Sequence, residues 1–442
     1  MYCDPRVRTS ECSEHSARSG ISGLECPQVM LIRNIASNYI GTALVGLINI
    51  FSLSLYVKYF GLKHWGQVAT YIAILNTLMV LELGISQIYI AKLHKSNSQK
   101  ELFGKFHAAL ITIAVAGITI MLAGFLLLNF IKGSLPENYQ HWDLLFLALI
   151  LFGFNLINNF YYTNLTANER QIEQNLRWVF FVFLKNAIAL SLVSLVSNQP
   201  EIYFISFLAV TAIEIFINAK TVENRLSDPI CWKSAVSVIK QCGTLSLAIG
   251  FGILVFNLDR LILPSMIDSK TFGVYAVVVT IGLYFLQLQY PITKALFPLV
   301  AKKMHLEGGE LGRVMWQQVI LLASLVMPLI LLAALLSERI LRFYSVPEEL
   351  LSSATWLFDG ILLSVFINAA YHGIYMRLVI EDKNRIIMAI NMGTFLLASA
   401  ILVGFGSSDP FEAGAAAWIC VSSIQLLGGA GFYLMERKYA VK

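Results

Sequence analysis

The sequence predicts an all-α, polytopic membrane protein with twelve transmembrane helices. Of its 442 residues, 57% are hydrophobic and 13% are charged, which is about half the charged fraction of an average soluble domain. The apolar residues lie in runs long enough for helices that cross a hydrocarbon core of about 30 Å. A transmembrane β-barrel would instead show alternating segments of about ten residues, which the sequence lacks.

Short polar breaks between the apolar runs set the limits of the predicted spans. These spans are 38–60, 66–91, 105–131, 142–166, 177–197, 202–220, 241–265, 271–300, 314–337, 353–379, 384–405 and 411–435. The break at 221–240 is a basic cytoplasmic linker between an N-lobe at 30–220 (helices 1–6) and a C-lobe at 241–442 (helices 7–12). Residues 1–29 are polar, without the apolar core of a signal peptide, and are predicted to be a disordered N-terminal extension. They are either a cytoplasmic tail or a segment upstream of a start at Met30.

The distribution of basic residues predicts the orientation of the chain. The N-terminus and alternate loops hold 24 of the 32 Lys and Arg residues, and the other loops hold 7. The positive-inside rule therefore places both termini in the cytoplasm. The net charge of +5 is small and gives no indication of nucleic-acid binding.

A short internal repeat relates the two halves. The segment at 63–69 reads KHWGQVA, and 207 residues later the segment at 270–276 reads KTFGVYA, each just before an even-numbered span. Because each half has six spans, the two repeats run parallel, related by an axis along the membrane normal. Transporters built in this way place their binding site at the interface of the halves, which predicts a central cavity between the six-helix lobes.

The eighth predicted span carries a polar stripe. Gln287, Tyr290 and Lys294 are spaced by three and four residues, so they share one face of the predicted helix. Pro291, in the same turn, is expected to bend it. A lysine in lipid is costly, which makes Lys294 a candidate substrate-binding residue, although it could instead extend to the cytoplasmic surface.

Two further spans have polar faces. In the first span, polar residues recur at helical spacing from Asn38 through Asn49 to Tyr56. The fourth span has a similar row that includes Asn159. Polar groups in lipid need partners or water, so these faces line either an interface between helices or a wet cavity.

The charged residues inside the spans have several possible roles. Glu82 is a candidate proton site or a structural partner. Lys185 and Glu214 lie at similar depth in neighbouring spans and are predicted to form a structural ion pair, with substrate contact by Lys185 as the alternative. Asp259 and Arg260 close the seventh span.

Motifs for other functions are absent from the sequence. It has no phosphate-binding P-loop, no HExxH, no nucleophile elbow and no metal-ligand spacing of its six cysteines. We therefore expect neither an enzyme nor a cofactor. No large outer domain is predicted, which argues against a glycan polymerase or ligase.

Several short motifs resemble the multidrug/oligosaccharidyl-lipid/polysaccharide (MOP) superfamily, and within it the O-antigen flippases of the Wzx type. The resemblance runs from about Arg33 to Tyr439 and depends on the order and spacing of the motifs. They are Asn34 and Asn38, Tyr59-Phe60-Gly61, Trp65-Gly66, Leu81-Glu82-Leu83-Gly84, Leu258-Asp259-Arg260-Leu261 and Ala295-Leu296-Phe297-Pro298.

This resemblance implies two lobes arranged in a V, with the first, second, seventh and eighth spans lining the cavity. It also implies an undecaprenyl-diphosphate-linked oligosaccharide as substrate, moved across the bacterial inner membrane by alternating access. Such flippases often have an arginine near the end of the second span, where this chain has Gln87. The expected partners are the lipid-linked substrate, membrane lipids and polysaccharide polymerase and chain-length proteins.

On this hypothesis, Lys294 and Arg260, with Arg33 at the mouth, attract the diphosphate. The amide and phenol side chains contact the sugars. Glu82 or Asp259 would couple transport to a membrane gradient, unless mass action drives it. The main rival is a cation-coupled multidrug exporter of the same superfamily, although residues 38–60 contain no Asp or Glu to bind a cation.

Overall fold

The fold is described from a computed structural model. It describes residues 27–82, 84–93, 98–130, 137–221, 232–289, 320, 324, 326–381 and 383–440. Every regular element in these ranges is a helix. The α-helices are α1 Pro27–Leu78, α2 Ile85–Leu93, α3 Gln99–Asn129, α4 Trp142–Ala167, α5 Gln171–Leu195, α6 Glu201–Thr221, α7 Trp232–Ile262, α8 Ser269–Gln287, α9 Val326–Leu335, α10 Ser337–Phe343, α11 Glu348–Ile380, α12 Asn384–Phe405 and α13 Pro410–Ala440.

Helix α1 joins the first two predicted spans without a loop. It begins at Pro27, eleven residues before the predicted start, and is kinked at Gly61, where φ is 76° and ψ is 162°. A positive φ is free of the Cβ clash only in glycine, so the kink falls at a residue that tolerates it. A second break follows at Gly84, where φ is 68°, after a 3₁₀ turn at Met79–Glu82. The prediction of one unbroken second span was therefore wrong.

Helix α8 is shorter than predicted. It ends at Gln287 and is followed by a turn at 288–289, whereas the sequence predicted a helix to residue 300. Bonds between residues three apart tighten the chain there: the N–H of Leu288 donates to Phe285 O and that of Gln289 to Leu286 O, both at 3.3 Å. Tyr290, Pro291 and Lys294 lie outside the described residues. Helix α7 begins at Trp232, so the second half of the predicted 221–240 linker is helical.

Nine helices in the described ranges are long and apolar enough to cross a membrane, which shows a multi-pass membrane protein. One is the stretch Ala36–Glu82, whose 47 residues exceed twice the length that a single crossing needs. Helix α7 is not among the nine, and most of the predicted span at 314–337 lies outside the described residues. The number of twelve spans stays a prediction.

Residues at or near helix ends contact each other at both ends of the structure. At one end, Lys270 Nζ lies 3.3 Å from Glu349 Oε1. At the other end, Tyr433 Oη donates to Glu381 Oε2 at 3.0 Å. Each contact joins residues that the predicted topology places on one side of the membrane, and the alternation of twelve spans stays a prediction.

The core is a continuous layer of aromatic and aliphatic side chains that includes helices of both halves. Its fully buried members include Tyr71, Phe103, Phe152, Phe272 and Phe358. Helix α1 packs against α5 and α8, α7 packs against α12 and α3, and α11 packs against α13. These contacts hold α1, α5 and α8 around the cavity described below.

Candidate functional site

A cavity of about 410 Å³ lies between α1, α4, α5, α6 and α8. Both segments of α1 contribute to it, before and after the kink at Gly61, and Arg260 reaches it from the end of α7. Its described lining residues with amide, hydroxyl, phenol or charged side chains are Asn49, Ser52, Tyr56, Asn76, Asn155, Lys185, Asn186, Tyr203, Arg260, Thr280, Tyr284 and Gln287.

The polar face of the first predicted span is both a helix interface and a cavity wall, the two alternatives that the sequence left open. Asn49 and Tyr56 line the cavity, and Tyr56 Oη donates to Asn186 Oδ1 of α5 at 3.1 Å. Asn38, further towards the N-terminus, instead joins α1 to α5: its Nδ2 donates to Gln171 Oε1 at 2.8 Å, and its Oδ1 accepts from Asn175 Nδ2 at 2.8 Å. The face is a helix interface at Asn38 and a cavity wall from Asn49 onwards.

Lys185 presents a cation on the cavity wall. Its Nζ lies 2.7 Å from Glu214 Oε2 on α6, and the exposed fractions of the two side chains are 12% and 2%. Glu214 also accepts a hydrogen bond from Tyr162 Oη and does not line the cavity. Glu214 therefore lies behind Lys185, away from the cavity. A buried carboxylate needs partners, and Lys185 and Tyr162 supply them, so the ion pair fixes the position of the lysine.

Arg260 is the second cation at the cavity, and its guanidinium is held by α7. Its Nη2 donates to Phe256 O at 2.6 Å and to Asn257 Oδ1 at 2.9 Å. Its Nε lies 3.7 Å from Asp259 Oδ1. The guanidinium is thus fixed before any ligand binds.

Asp259 joins three helices. Its Oδ2 accepts from Tyr275 Oη of α8 at 2.7 Å and from Trp418 Nε1 of α13 at 2.9 Å. It is 4% exposed and does not line the cavity. Like Glu214, it lies beside a cavity cation rather than at the surface that a ligand would meet.

Aromatic rings form the wall of the cavity near the kink of α1. Tyr56 and Trp65 stack at 5.8 Å between ring centroids, and Tyr203 and Phe207 stack at 4.2 Å. All four line the cavity. Rings with a polar edge give a surface that binds apolar faces and hydroxyl groups together.

Some of the predicted site residues lie elsewhere. Arg33 is exposed and precedes the first lining residue, Val45, by twelve positions, or about 18 Å of helix. Asn159 is exposed one turn beyond Asn155, which does line the cavity. Glu82 accepts a hydrogen bond from Ser86 at the helix break and does not line the cavity.

Of the predicted stripe on the eighth span, Gln287 is described, and it lines the cavity. It does so with Thr280 and Tyr284 of the same helix. Their spacing of four and three residues was visible in the sequence, but the earlier two positions were not recognised as site residues. The same spacing links Trp178, Val182 and Lys185 on α5, which all line the cavity.

The chemistry of the lining is that of a binding site. It offers amide, hydroxyl and phenol groups together with two cations, and none of the lining residues that the structure describes is Asp or Glu. No group of three or more His, Cys, Asp or Glu residues in the described ranges could hold a metal ion.

Comparison with solved structures identifies the class of fold. The chain is similar to the MATE multidrug transporter DinF-BH in complex with R6G, at 15% identity and a TM-score of 0.66, over 92% of this chain and 96% of that one. It is similar to the lipid II flippase MurJ in an inward closed conformation, at 14% identity and a TM-score of 0.69, over 88% and 86%. It is also similar to a multidrug-resistance MATE family transporter of the MOP superfamily in an inward-facing conformation, at 12% identity and a TM-score of 0.60, over 91% and 98%.

The chain therefore has the fold of multi-pass membrane transporters. Of these three structures, the inward-facing MATE family transporter is described as a member of the MOP superfamily. Neither a protein-family model nor a curated protein sequence matches the chain. The structural relatives include a lipid flippase and a multidrug transporter, so the shared fold does not identify a substrate.

Proposed function

We propose that the protein is a flippase for an undecaprenyl-diphosphate-linked oligosaccharide, an O-antigen or similar repeat unit of a surface polysaccharide. It would move this substrate from the cytoplasmic to the outer leaflet of the bacterial inner membrane by alternating access. The observation that carries the proposal is the sign of the cavity charges: among the described residues that line the cavity, the charged ones are Lys185 and Arg260, and both are cations.

The placement of the counter-ions favours an anionic ligand. Glu214 and Asp259 lie beside Lys185 and Arg260 but do not line the cavity. A ligand that enters meets ammonium and guanidinium donors before it meets a carboxylate. Hydrogen bonds between such donors and phosphate oxygens are about twice as strong as neutral ones, so a diphosphate fits this wall.

The remaining lining supports a carbohydrate next to the diphosphate. Amides such as Asn49, Asn155 and Gln287 can both donate to and accept from sugar hydroxyls. The stacked rings of Tyr56 and Trp65 would contact the apolar faces of the sugar rings. The polyprenyl tail would stay in the bilayer.

Residues away from the described cavity take proposed roles on the path to it. Lys294 and Tyr290 follow α8 in the sequence, and Arg33 would meet the diphosphate at the mouth. Glu82 and Asp259 remain candidates for coupling to a membrane gradient. A polysaccharide polymerase and a chain-length protein would use the flipped product on the outer side.

A flipping assay tests the proposal. The purified protein is reconstituted in liposomes with a fluorescent undecaprenyl-diphosphate disaccharide, and its movement is read from quenching by an impermeant reductant. Replacing both charges of the cavity pair, in Lys185→Gln/Glu214→Gln, should lower the initial rate about tenfold, because charge-assisted hydrogen bonds exceed neutral ones by 1–2 kcal/mol.

The exposed ion pair of Lys105 and Glu101, at 2.5 Å on α3, provides the matched control. The variant Lys105→Gln/Glu101→Gln should flip the probe at the rate of the original protein. If the original protein fails to move the probe, the proposal is wrong.

A cation-coupled multidrug exporter is the second candidate, because the fold is shared with DinF-BH in complex with R6G. An exporter of cationic drugs needs an acid or an aromatic cage that the drug can reach. Uptake of ethidium into the same liposomes under a proton or sodium gradient distinguishes the two. Ethidium transport without lipid flipping would establish the exporter.

A further inference from the structure

Two glycines occupy equivalent positions in the internal repeat and contact each other across the halves. A Cβ atom on Gly66 would overlap the carbonyl oxygen of Ser269 and would lie 3.0 Å from the backbone nitrogen of Gly273. A Cβ atom on Gly273 would overlap the carbonyl oxygen of Leu62. Only two glycines let α1 and α8 approach this closely without moving.

This contact is reciprocal. Residue 269 is residue 62 shifted by the repeat offset of 207, and residue 273 is residue 66 shifted by the same number. Gly66 therefore contacts Ser269, the equivalent of Leu62, and Leu62 contacts Gly273, the equivalent of Gly66. Contacts of this kind form across a two-fold axis, so the axis that relates the repeats passes through the glycine pair.

The glycine pair lies at one end of the cavity. Trp65 and Ala69, on either side of Gly66, line the cavity, and α1 continues along it to Asn76. On α8 the cavity begins at Thr280, seven residues beyond Gly273. The predicted orientation places this end on the outer side of the membrane.

A hydrogen-bonded link between the halves lies at the same end. Asn138, between α3 and α4, is 1% exposed. Its Nδ2 donates to Pro264 O at 2.9 Å and to Ile267 O at 3.0 Å, and its Oδ1 accepts from Ser269 Oγ at 2.5 Å. Ser269 is also the residue whose carbonyl faces Gly66.

We infer that the glycine pair and Asn138 form the outer gate of the cavity, and that the structure holds this gate closed. The inference rests on the proposed transport function, because a gate has meaning only where the cavity must open to both sides. Opening separates α1 from α8 at Gly66 and Gly273 and breaks the hydrogen bonds of Asn138.

Thiol accessibility tests the gate without a substrate. A single cysteine in the cavity wall, Ser52→Cys, is placed in a protein without its natural cysteines and treated from outside with a membrane-impermeant maleimide. Adding Gly66→Ala or Gly273→Ala should raise the labelling rate roughly tenfold, because the forced overlap of the new Cβ atom destabilises the closed form. Asn138→Ala should raise it to a similar extent through the loss of its hydrogen bonds.

Gly124→Ala on α3 is the control, since a Cβ atom there has no neighbour within 4 Å. It should leave labelling of Ser52→Cys unchanged. If the glycine variants do not reach the membrane, the labelling rate of Ser52→Cys in the Asn138→Ala variant tests the gate by itself. Labelling at the original rate in every variant that reaches the membrane would overturn the gate, whether or not the protein flips lipid. A gate that opens in a protein without flipping activity would refute only the proposed function.

Discussion

At the scale of single residues, the ion pair of Lys185 and Glu214 connects stability with function. The pair is almost completely buried, with 2.7 Å between Nζ and Oε2. Removal of one member of such a pair leaves a charge without its partner, whereas removal of both leaves none. The pair can therefore be tested for stability separately from transport.

We predict that Lys185→Met lowers the free energy of unfolding by about 3–5 kcal/mol, and that adding Glu214→Gln restores much of that loss. Thermal unfolding in detergent measures both variants. Lys105→Met on α3, whose ion pair is more than half exposed, should change stability by less than about 1 kcal/mol. An equal loss of stability from Lys185→Met and Lys105→Met would show that burial does not determine how much the Lys185–Glu214 pair contributes to the free energy of unfolding.

The sequence predicted this pair from the similar depth of the two residues in neighbouring spans. Contact of Lys185 with a substrate was only the alternative interpretation, because the rotation of α5 about its axis depends on how it packs against α1. The contact between Asn186 and Tyr56 could not be predicted from the sequence either, because it joins residues 130 positions apart on two helices. Arg260, by contrast, was predicted as a site residue and does line the cavity.

At the scale of secondary structure, α8 depends on its first turn. Asp268 caps the helix: its side chain accepts hydrogen bonds from the backbone N–H groups of Lys270 at 2.9 Å and Thr271 at 3.1 Å. Partial burial acts to raise the pKa of Asp268, but the hydrogen bonds from Thr271 and Lys270 outweigh it and hold the pKa below its usual value. The ionised form is therefore the one that stabilises the helix.

We predict that Asp268→Ala lowers the free energy of unfolding by about 1 kcal/mol at neutral pH, as the loss of an N-cap does. Because the pKa of Asp268 is lowered by folding, its contribution is complete above the unfolded value of about 3.9 and is lost as the pH falls through the lower folded value. The difference in Tm between the original protein and the variant should therefore shrink in acid.

Asp268→Asn keeps an acceptor for the first turn without the charge. This variant should be nearly as stable as the original protein at neutral pH. Its stability should not include the pH-dependent contribution that ionised Asp268 makes. A difference in Tm that stays constant from pH 7 to pH 3 for Asp268→Ala would contradict the role of the ionised cap.

Helix positions were easier to predict than helix ends. The apolar runs are long and strongly periodic, so they located most of the spans. The breaks at Gly61 and Gly84 depend on backbone angles that a glycine permits but does not require. For the eighth span, a helix to residue 300 was predicted, whereas α8 ends at Gln287 and a turn follows at 288–289.

At the scale of the whole molecule, the orientation in the membrane is open to a direct test. The structure groups loops at two ends, and the positive-inside rule assigns the end with Gln99 to the cytoplasm and the end with Ser407 to the outside. Both residues are exposed. Single cysteines at these positions therefore report the two sides.

We predict that an impermeant maleimide labels Ser407→Cys in cells with an opened outer membrane, and that it labels Gln99→Cys only after the inner membrane is broken. Labelling is measured by a shift in gel mobility on a cysteine-free background. The opposite pattern would reverse the orientation and would place the Gly66–Gly273 contact on the cytoplasmic side.

The bonds that Asn138 makes have a consequence for divergence between related proteins. Two of its three partners are the backbone carbonyls of Pro264 and Ile267. A backbone carbonyl is the same whichever side chain its residue carries, so the facing loop can change at these two positions without losing the link. We expect homologues to keep the amide at this position while the loop opposite varies, and coevolution between the two halves to be weak at this contact.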